Sequence, residues 1–204
     1  MFREFTLYRG ILSFLSWLIS AILSPFIVAI PLAFVVTQKA SPSVFKSLEW
    51  LLISLIFAVL VPLGAILILR QRGEVTDVHL AHRLERPFPF LTTLFSGLLG
   101  TYFLLFFGAP RLLITLALSF IFLGISITFV TLYWKISAHL AGVAGALTAA
   151  FLIFGFSAAP LFLLLPVVGW ARIYRKRHTL AQVIGGALEA IFSICLVFLA
   201  RELI

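Results

Sequence analysis

All four histidines of the chain, His79, His82, His139 and His178, lie beside basic residues in three short segments separated by long apolar runs. The first segment, Asp77 to Pro87, holds His79, His82, Arg83 and Arg86. The second, Lys135 to Gly142, holds Lys135, Ser137 and His139. The third, Arg172 to Gly186, holds Arg172, Arg175, Lys176, Arg177, His178 and Gln182. Arginine stays charged, and its planar fork matches phosphate oxygens two at a time. Histidine exchanges protons near neutral pH and can act as a nucleophile. Histidines among arginines, without a carboxylate cluster, suit metal-free phosphoryl transfer through a phosphohistidine. A metal site suits them less well: Asp77 is the only aspartate, Cys195 the only cysteine, and no acidic or thiol constellation completes a ligand set. No metal and no cofactor is therefore expected.

The elements that must hold these segments are set by composition. Of 204 residues, 63% are hydrophobic and 11% charged, against about 45–50% and about 25% in soluble domains. Mean hydropathy is +1.21. A soluble domain of this length cannot hide that much apolar surface, so the solvent is lipid. Soluble enzymes, nucleic-acid-binding modules and disordered linkers are excluded. The net charge of +8 reads as basic loops at a membrane face. The lone aspartate argues against membrane prenyltransferases and phospholipid synthases that hold Mg²⁺ on aspartate-rich motifs. There is no GxxxxGK[ST] phosphate loop. One cysteine leaves no intramolecular disulfide. The first apolar run is too long for the core of a signal peptide.

Apolar runs fall at 11–36, 48–69, 88–108, 111–133, 138–156, 158–171 and 180–200, each compared with the roughly 20 residues a helix needs to cross. The fold class is an all-α integral membrane protein, a six- or seven-span helical bundle, with residues 1–204 forming a single transmembrane domain. Pro25 and Pro31 should kink the first run. Ser157 to Pro160 should turn a tight helical hairpin whose second arm bends at Pro166. With seven crossings, all three histidine segments share one side. That side carries Arg3, Arg9, Arg70, Arg72, Arg83, Arg86, Lys135, Arg172, Arg175, Lys176 and Arg177, eleven of the 15 Lys+Arg. Lys39, Lys46, Arg111 and Arg201 fall on the other. The positive-inside rule then puts the histidine face in the cytoplasm.

The order and spacing of the three segments resemble the type 2 phosphatidic acid phosphatase superfamily of membrane lipid phosphatases, whose signatures are KxxxxxxRP, PSGH and SRxxxxxHxxxD. His79, six residues, then Arg86-Pro87 follows the first, with His79 in the lysine's place. Ile136-Ser137-Ala138-His139 follows the second, with Ser137 and His139 matching. Ala171-Arg172, five residues, His178, three residues, Gln182 follows the third, with Gln182 in the aspartate's place. The Gly185-Gly186 pair also fits. The resemblance covers a phosphatase-like core of about 70–190.

The resemblance implies that His178 attacks phosphorus and His139 protonates the leaving group. It implies that Arg86 and Arg172, with Lys135, Ser137 and His79, meet the phosphate. The family aspartate orients and charges the nucleophilic histidine. Gln182 can accept a hydrogen bond but brings no charge, and loss of the analogous carboxylate in a serine-protease triad costs about 10⁴ in rate. Two readings follow. One is an integral-membrane phosphatase acting on a lipid phosphate or prenyl (di)phosphate. The other is a catalytically weakened or inactive member that binds lipid phosphates or partner helices. A transporter fits less well, since no inverted repeat is visible. The sequence gives no oligomeric state.

Outside the motifs, His82 reads as an ordinary loop residue. Arg175, Lys176 and Arg177 read as a basic anchor. Asp77 should pair with Arg83 or Arg86, or cap a turn. Glu189, mid-span, should meet a buried polar group such as a serine, or stay protonated. Gly142 and Gly145, with Ala138 and Ala149, make a small-residue face for helix packing.

Overall fold

The structure, a computed structural model, describes residues 2–77 and 82–202, with side chains from residue 10 onward except at Arg83. Among the described residues there is no strand. A backbone in hydrocarbon must satisfy its own polar groups, which helices do within one segment. Among the described residues nine α-helices result: α1 Phe2–Ile22, α2 Pro25–Ala40, α3 Val44–Leu55, α4 Val61–Gln71, α5 Pro87–Phe106, α6 Arg111–Tyr133, α7 Ala138–Phe154, α8 Leu164–Tyr174 and α9 Leu180–Ala200.

Their starts follow local chemistry. Ser24 accepts from the Ile27 N–H, and Pro25 opens α2 where no helical donor is needed. Ser43 caps α3 in the same way through Lys46. Pro87 opens α5. The expected kink of the first run is a break at Leu23–Ser24, where α1 and α2 bend by 42°; Pro31 lies inside an unbroken α2. The second run is longer than the apolar pattern indicates, because polar ends at Val44–Ser47 and Arg70–Gln71 still wind as helix.

Between α3 and α4 the helix widens into one π turn, Ile56–Leu60, ahead of Pro62. Pro62 has no N–H, and the Val61 N–H bonds Ile56 instead of Phe57. The Phe57 carbonyl therefore lacks its usual helical donor. The buried Ser96 hydroxyl on α5 supplies one at 2.6 Å. Gly100, one turn further along α5, lets the helices close: a Cβ there would meet the Phe57 Cβ at 2.5 Å.

The central helix is α7, buried along most of its length. Its small residues admit close neighbours. A Cβ on Gly142 would lie 2.6 Å from the Pro25 Cβ, and Gly145 is hemmed by Leu123, Phe120 and Ile194. Beyond α7, Gly155 takes a left-handed φ of +69° and a 3₁₀ stretch runs Gly155–Leu163. The chain then folds back, so that Val168 of α8 packs on Leu140, Val143 and Leu147 of α7. Straight, the 37 residues Ala138–Tyr174 would reach about 55 Å, far more than the ~30 Å hydrocarbon layer.

Among the described residues five helical stretches are long and apolar enough to cross a membrane, and the bent α1–α2 pair makes a sixth. The two arms of 138–174 fall within one of these stretches. This is a multi-pass, all-α membrane bundle. The basic residues of the side opposite the histidines gather at its far end. Lys39 lies 5.1 Å from the Phe154 ring, and Lys46 Nζ and Trp50 Nε1 both donate to the Phe107 carbonyl. Arg111 pairs with Glu202 and donates to the Arg201 carbonyl.

Candidate phosphate site

At the other end, the starts of α5, α7 and α9 and the end of α8 converge. Ser137 caps α7 by accepting from the Leu140 N–H at 3.3 Å, and its own N–H donates to the Gln182 carbonyl at 3.1 Å. The second and third segments are thus joined by backbone. Two glycines permit this: a Cβ on Gly186 would lie 2.6 Å from the Ser137 carbonyl oxygen, and one on Gly185 2.7 Å from the Trp134 ring. The Arg86 guanidinium ties in the first segment, donating from Nη1 to the Ile136 carbonyl at 3.0 Å.

His178 is 8% exposed. Its Nδ1 lies 3.2 Å from Gln182 Oε1. The same oxygen accepts from the Thr179 N–H, while Thr179 Oγ1 accepts from the Gln182 N–H, a complete capping box for α9. Because the Thr179 N–H can only donate, the amide oxygen must face it, and the His178 hydrogen must then sit on Nδ1. Nε2 then carries the ring's lone pair. Burial pushes the His178 pKa down to about 3, helped by the positive charges of Arg172, Arg86 and Lys135 and opposed by the Gln182 hydrogen bond. At neutral pH the ring is uncharged, the form a nucleophile requires.

Arg86 and Arg172 are each 2% exposed. Burial lowers the Arg86 pKa to about 10, which still leaves a cation at neutral pH. Lys135 is pushed down by burial and by Arg86, Arg177 and Arg172. Arg172 Nε is buried with no hydrogen-bond partner. A buried donor left unmatched costs about 1–3 kcal/mol, more when charged, so this one points to an acceptor that the chain itself does not provide.

His139, 7% exposed, directs Nε2 at the Leu23 carbonyl, 3.1 Å away. A carbonyl only accepts, so Nε2 carries the hydrogen. That carbonyl is available because of the α1–α2 break: Ile27, its helical donor, caps onto Ser24 instead. The Ser24-Pro25 dipeptide was the one sequence signal that could have pointed to this partner.

Of the remaining residues singled out by sequence, His79 lies outside the described residues. His82 is exposed. Asp77 pairs with Arg177 at 3.0 Å, a partner the sequence did not suggest, which links the first segment to the third. Thr76 donates through N–H and hydroxyl to Glu85. Lys176 takes a left-handed φ of 54° where α8 ends, and the Lys176 and Arg177 N–H groups bond back to Ile173 and Arg172. Glu189 meets two serines: Ser193 donates to Oε1 at 3.0 Å and Ser126 donates to the same oxygen. Among the described residues no three His, Cys, Asp or Glu side chains come together to hold a metal.

The structure therefore brings Arg86, Lys135, Ser137, His139, Arg172, His178 and Gln182 to one end of the bundle. The arrangement offers an unprotonated imidazole nitrogen, three cations and an unmatched guanidinium donor. Comparison with known protein families, curated proteins and solved structures gave no match to this chain.

Proposed function

We propose that the protein is a metal-independent membrane phosphatase acting on a lipid phosphate or prenyl (di)phosphate, akin to the type 2 phosphatidic acid phosphatases. The observation that carries the reading is the buried, unpartnered Arg172 Nε in a cationic cluster around a neutral His178. Such a cluster favours an anion with several oxygens, and His178 Nε2 supplies the attacking pair. Arg172, Arg86 and Lys135 bind phosphate oxygens and offset the charge that spreads over them in the transition state. As the N–P bond forms, the ester P–O bond breaks and its electrons go to the alkoxide. His139 gives that oxygen its proton, exchanging its bond to the Leu23 carbonyl. Water then attacks phosphorus and gives a proton back to His139, the N–P bond breaks, and phosphate leaves with both histidines restored. Gln182 holds the Nδ1 hydrogen throughout but adds no charge, so turnover is slow compared with a carboxylate at that position.

Two features favour the non-catalytic reading, an anion-binding protein on the same scaffold: the neutral amide at Gln182 and the engagement of His139 with a main-chain carbonyl. The deciding experiment is phosphate release in detergent from phosphatidate, prenyl monophosphate and prenyl diphosphate, with EDTA present. The phosphatase reading expects release that EDTA spares and His178→Ala abolishes. Binding without release favours the second reading, and release that survives His178→Ala overturns the phosphohistidine step.

The site face is proposed to be cytoplasmic. Setting aside Arg86, Lys135 and Arg172, eight basic residues against four still bias that side inward. With Cys195 replaced by serine, cysteines introduced at Arg175 should resist an impermeant reagent in intact cells and those at Ser43 should react; the reverse pattern inverts the topology.

A further inference from the structure

A small, mainly apolar cavity lies beside the cluster. It measures about 80 Å³, sits between the start of α5 and the end of α6, and is lined by Arg86 and Thr131 among Leu84, Phe90 and Leu132. Neither His139 nor His178 lines it. Thr131 is 3% exposed and its hydroxyl has no partner. A threonine inside a helix ordinarily donates to the carbonyl four residues back. Thr92, Thr93, Thr101, Thr128 and Thr148 all do so here. Thr131 forgoes that bond while lining the cavity. Leu84 and Leu132 at its edge are 86% and 54% exposed, an apolar rim at the membrane face.

We propose that this cavity is a substrate subsite, resting on the phosphatase reading and narrowing its substrate class. It takes the oxygen acceptor next to the scissile phosphate of an amphiphile, while the apolar rim takes the start of the tail. Arg86 links the cavity to the histidine cluster: it lines the cavity and its charge acts on His178. The Thr131 hydroxyl then donates to the second group. A cavity of this volume exceeds one water's ~30 Å³ share but falls short of the ~150 Å³ that holds benzene. A small polar group fits within it. Two sources offer that chemistry, the β-phosphate of a prenyl diphosphate and the ester carbonyl of a diacyl phosphate.

The test is binding to the full chain in detergent, in a His178→Ala background so that nothing turns over, read by tryptophan fluorescence. The probes are inorganic phosphate, farnesyl monophosphate, farnesyl diphosphate and dioleoyl phosphatidate. Thr131→Val keeps the side-chain shape and removes an unmatched hydroxyl, so its unfolding temperature should match or exceed that of the parent. It should weaken the probe that fills the subsite about tenfold, the value of one hydrogen bond to an anion or carbonyl. Inorganic phosphate and the monophosphate should be unaffected, and Thr131→Ser should restore binding. A loss confined to farnesyl diphosphate assigns the β-phosphate, and one confined to phosphatidate assigns the ester. Equal binding of every probe by parent and Thr131→Val overturns the subsite and leaves the phosphatase reading intact. Failure of the parent to bind any probe overturns both.

Discussion

Replacing Gln182 by glutamate should put a full negative charge beside His178 without disturbing the fold. Glutamate has the same reach, and it is the residue most suited to the third position of a capping box. The Thr179 N–H keeps its acceptor. What changes is a full negative charge next to Nδ1 of His178, 3.2 Å from the present amide oxygen. Charges about 4 Å apart at an effective dielectric near 20 attract by about 4 kcal/mol. At about 1.4 kcal/mol per pH unit that lifts His178 by about three, from about 3 to about 6. Side-chain NMR of histidine-labelled protein in detergent reads this directly, with His178→Ala providing the assignment. The wild-type ring should stay neutral, with its hydrogen on Nδ1, down to pH 4, and the variant should titrate near pH 6. If the protein is a phosphatase, kcat should rise at least tenfold as well. A variant resonance that still shows no protonation above pH 4 would refute the Gln182–His178 bond and the tautomer drawn from it.

Ser96→Ala should cost about 1–3 kcal/mol in unfolding free energy, because the Phe57 carbonyl at the π turn loses its donor; guanidine-free thermal scans in detergent would register the drop. Gly186→Ala should destabilise by a similar amount through overpacking and weaken anion binding, since its Cβ would press on the Ser137 carbonyl; retained parent-like binding would show that the α7–α9 approach does not hold the site together. Stability should fall as pH is lowered from about 6.5 toward about 3. Across that window the unfolded chain binds a proton at His178 that the folded chain refuses, so the unfolding constant grows roughly tenfold per pH unit. Above pH 6.5 this group contributes no slope, and His178→Ala should flatten the acid limb.

The membrane bundle was legible because 63% hydrophobic content leaves few alternatives, and the shared side of the three segments followed from the parity of the runs between them. Glu189 was legible too: a carboxyl inside a span must find donors, and Ser126 and Ser193 are what the neighbouring turns offer. The small-residue face of α7 read as packing, and Gly142 against Pro25 bears this out. Other features depended on three-dimensional meetings that no local pattern encodes. Asp77 and Arg177 are a hundred positions apart. The Leu23 carbonyl becomes an acceptor for His139 only because a helix breaks at Ser24, and a Ser-Pro pair marks the break without marking the partner of the carbonyl it frees. Pro62 signalled a disturbed helix, but the π turn and its rescue by Ser96 needed α5 alongside.

The central claim is that His178 Nε2 takes a phosphoryl group. The direct measurement is rapid quench of the detergent-purified protein with ³²P-labelled lipid phosphate, followed by peptide mapping. A phosphoryl-His178 intermediate should appear as an acid-labile, base-stable label on the peptide carrying His178, formed with EDTA present, absent in His178→Ala, and decaying as inorganic phosphate appears. A protein that releases phosphate with no label on His178, or with the label on another residue, would contradict it.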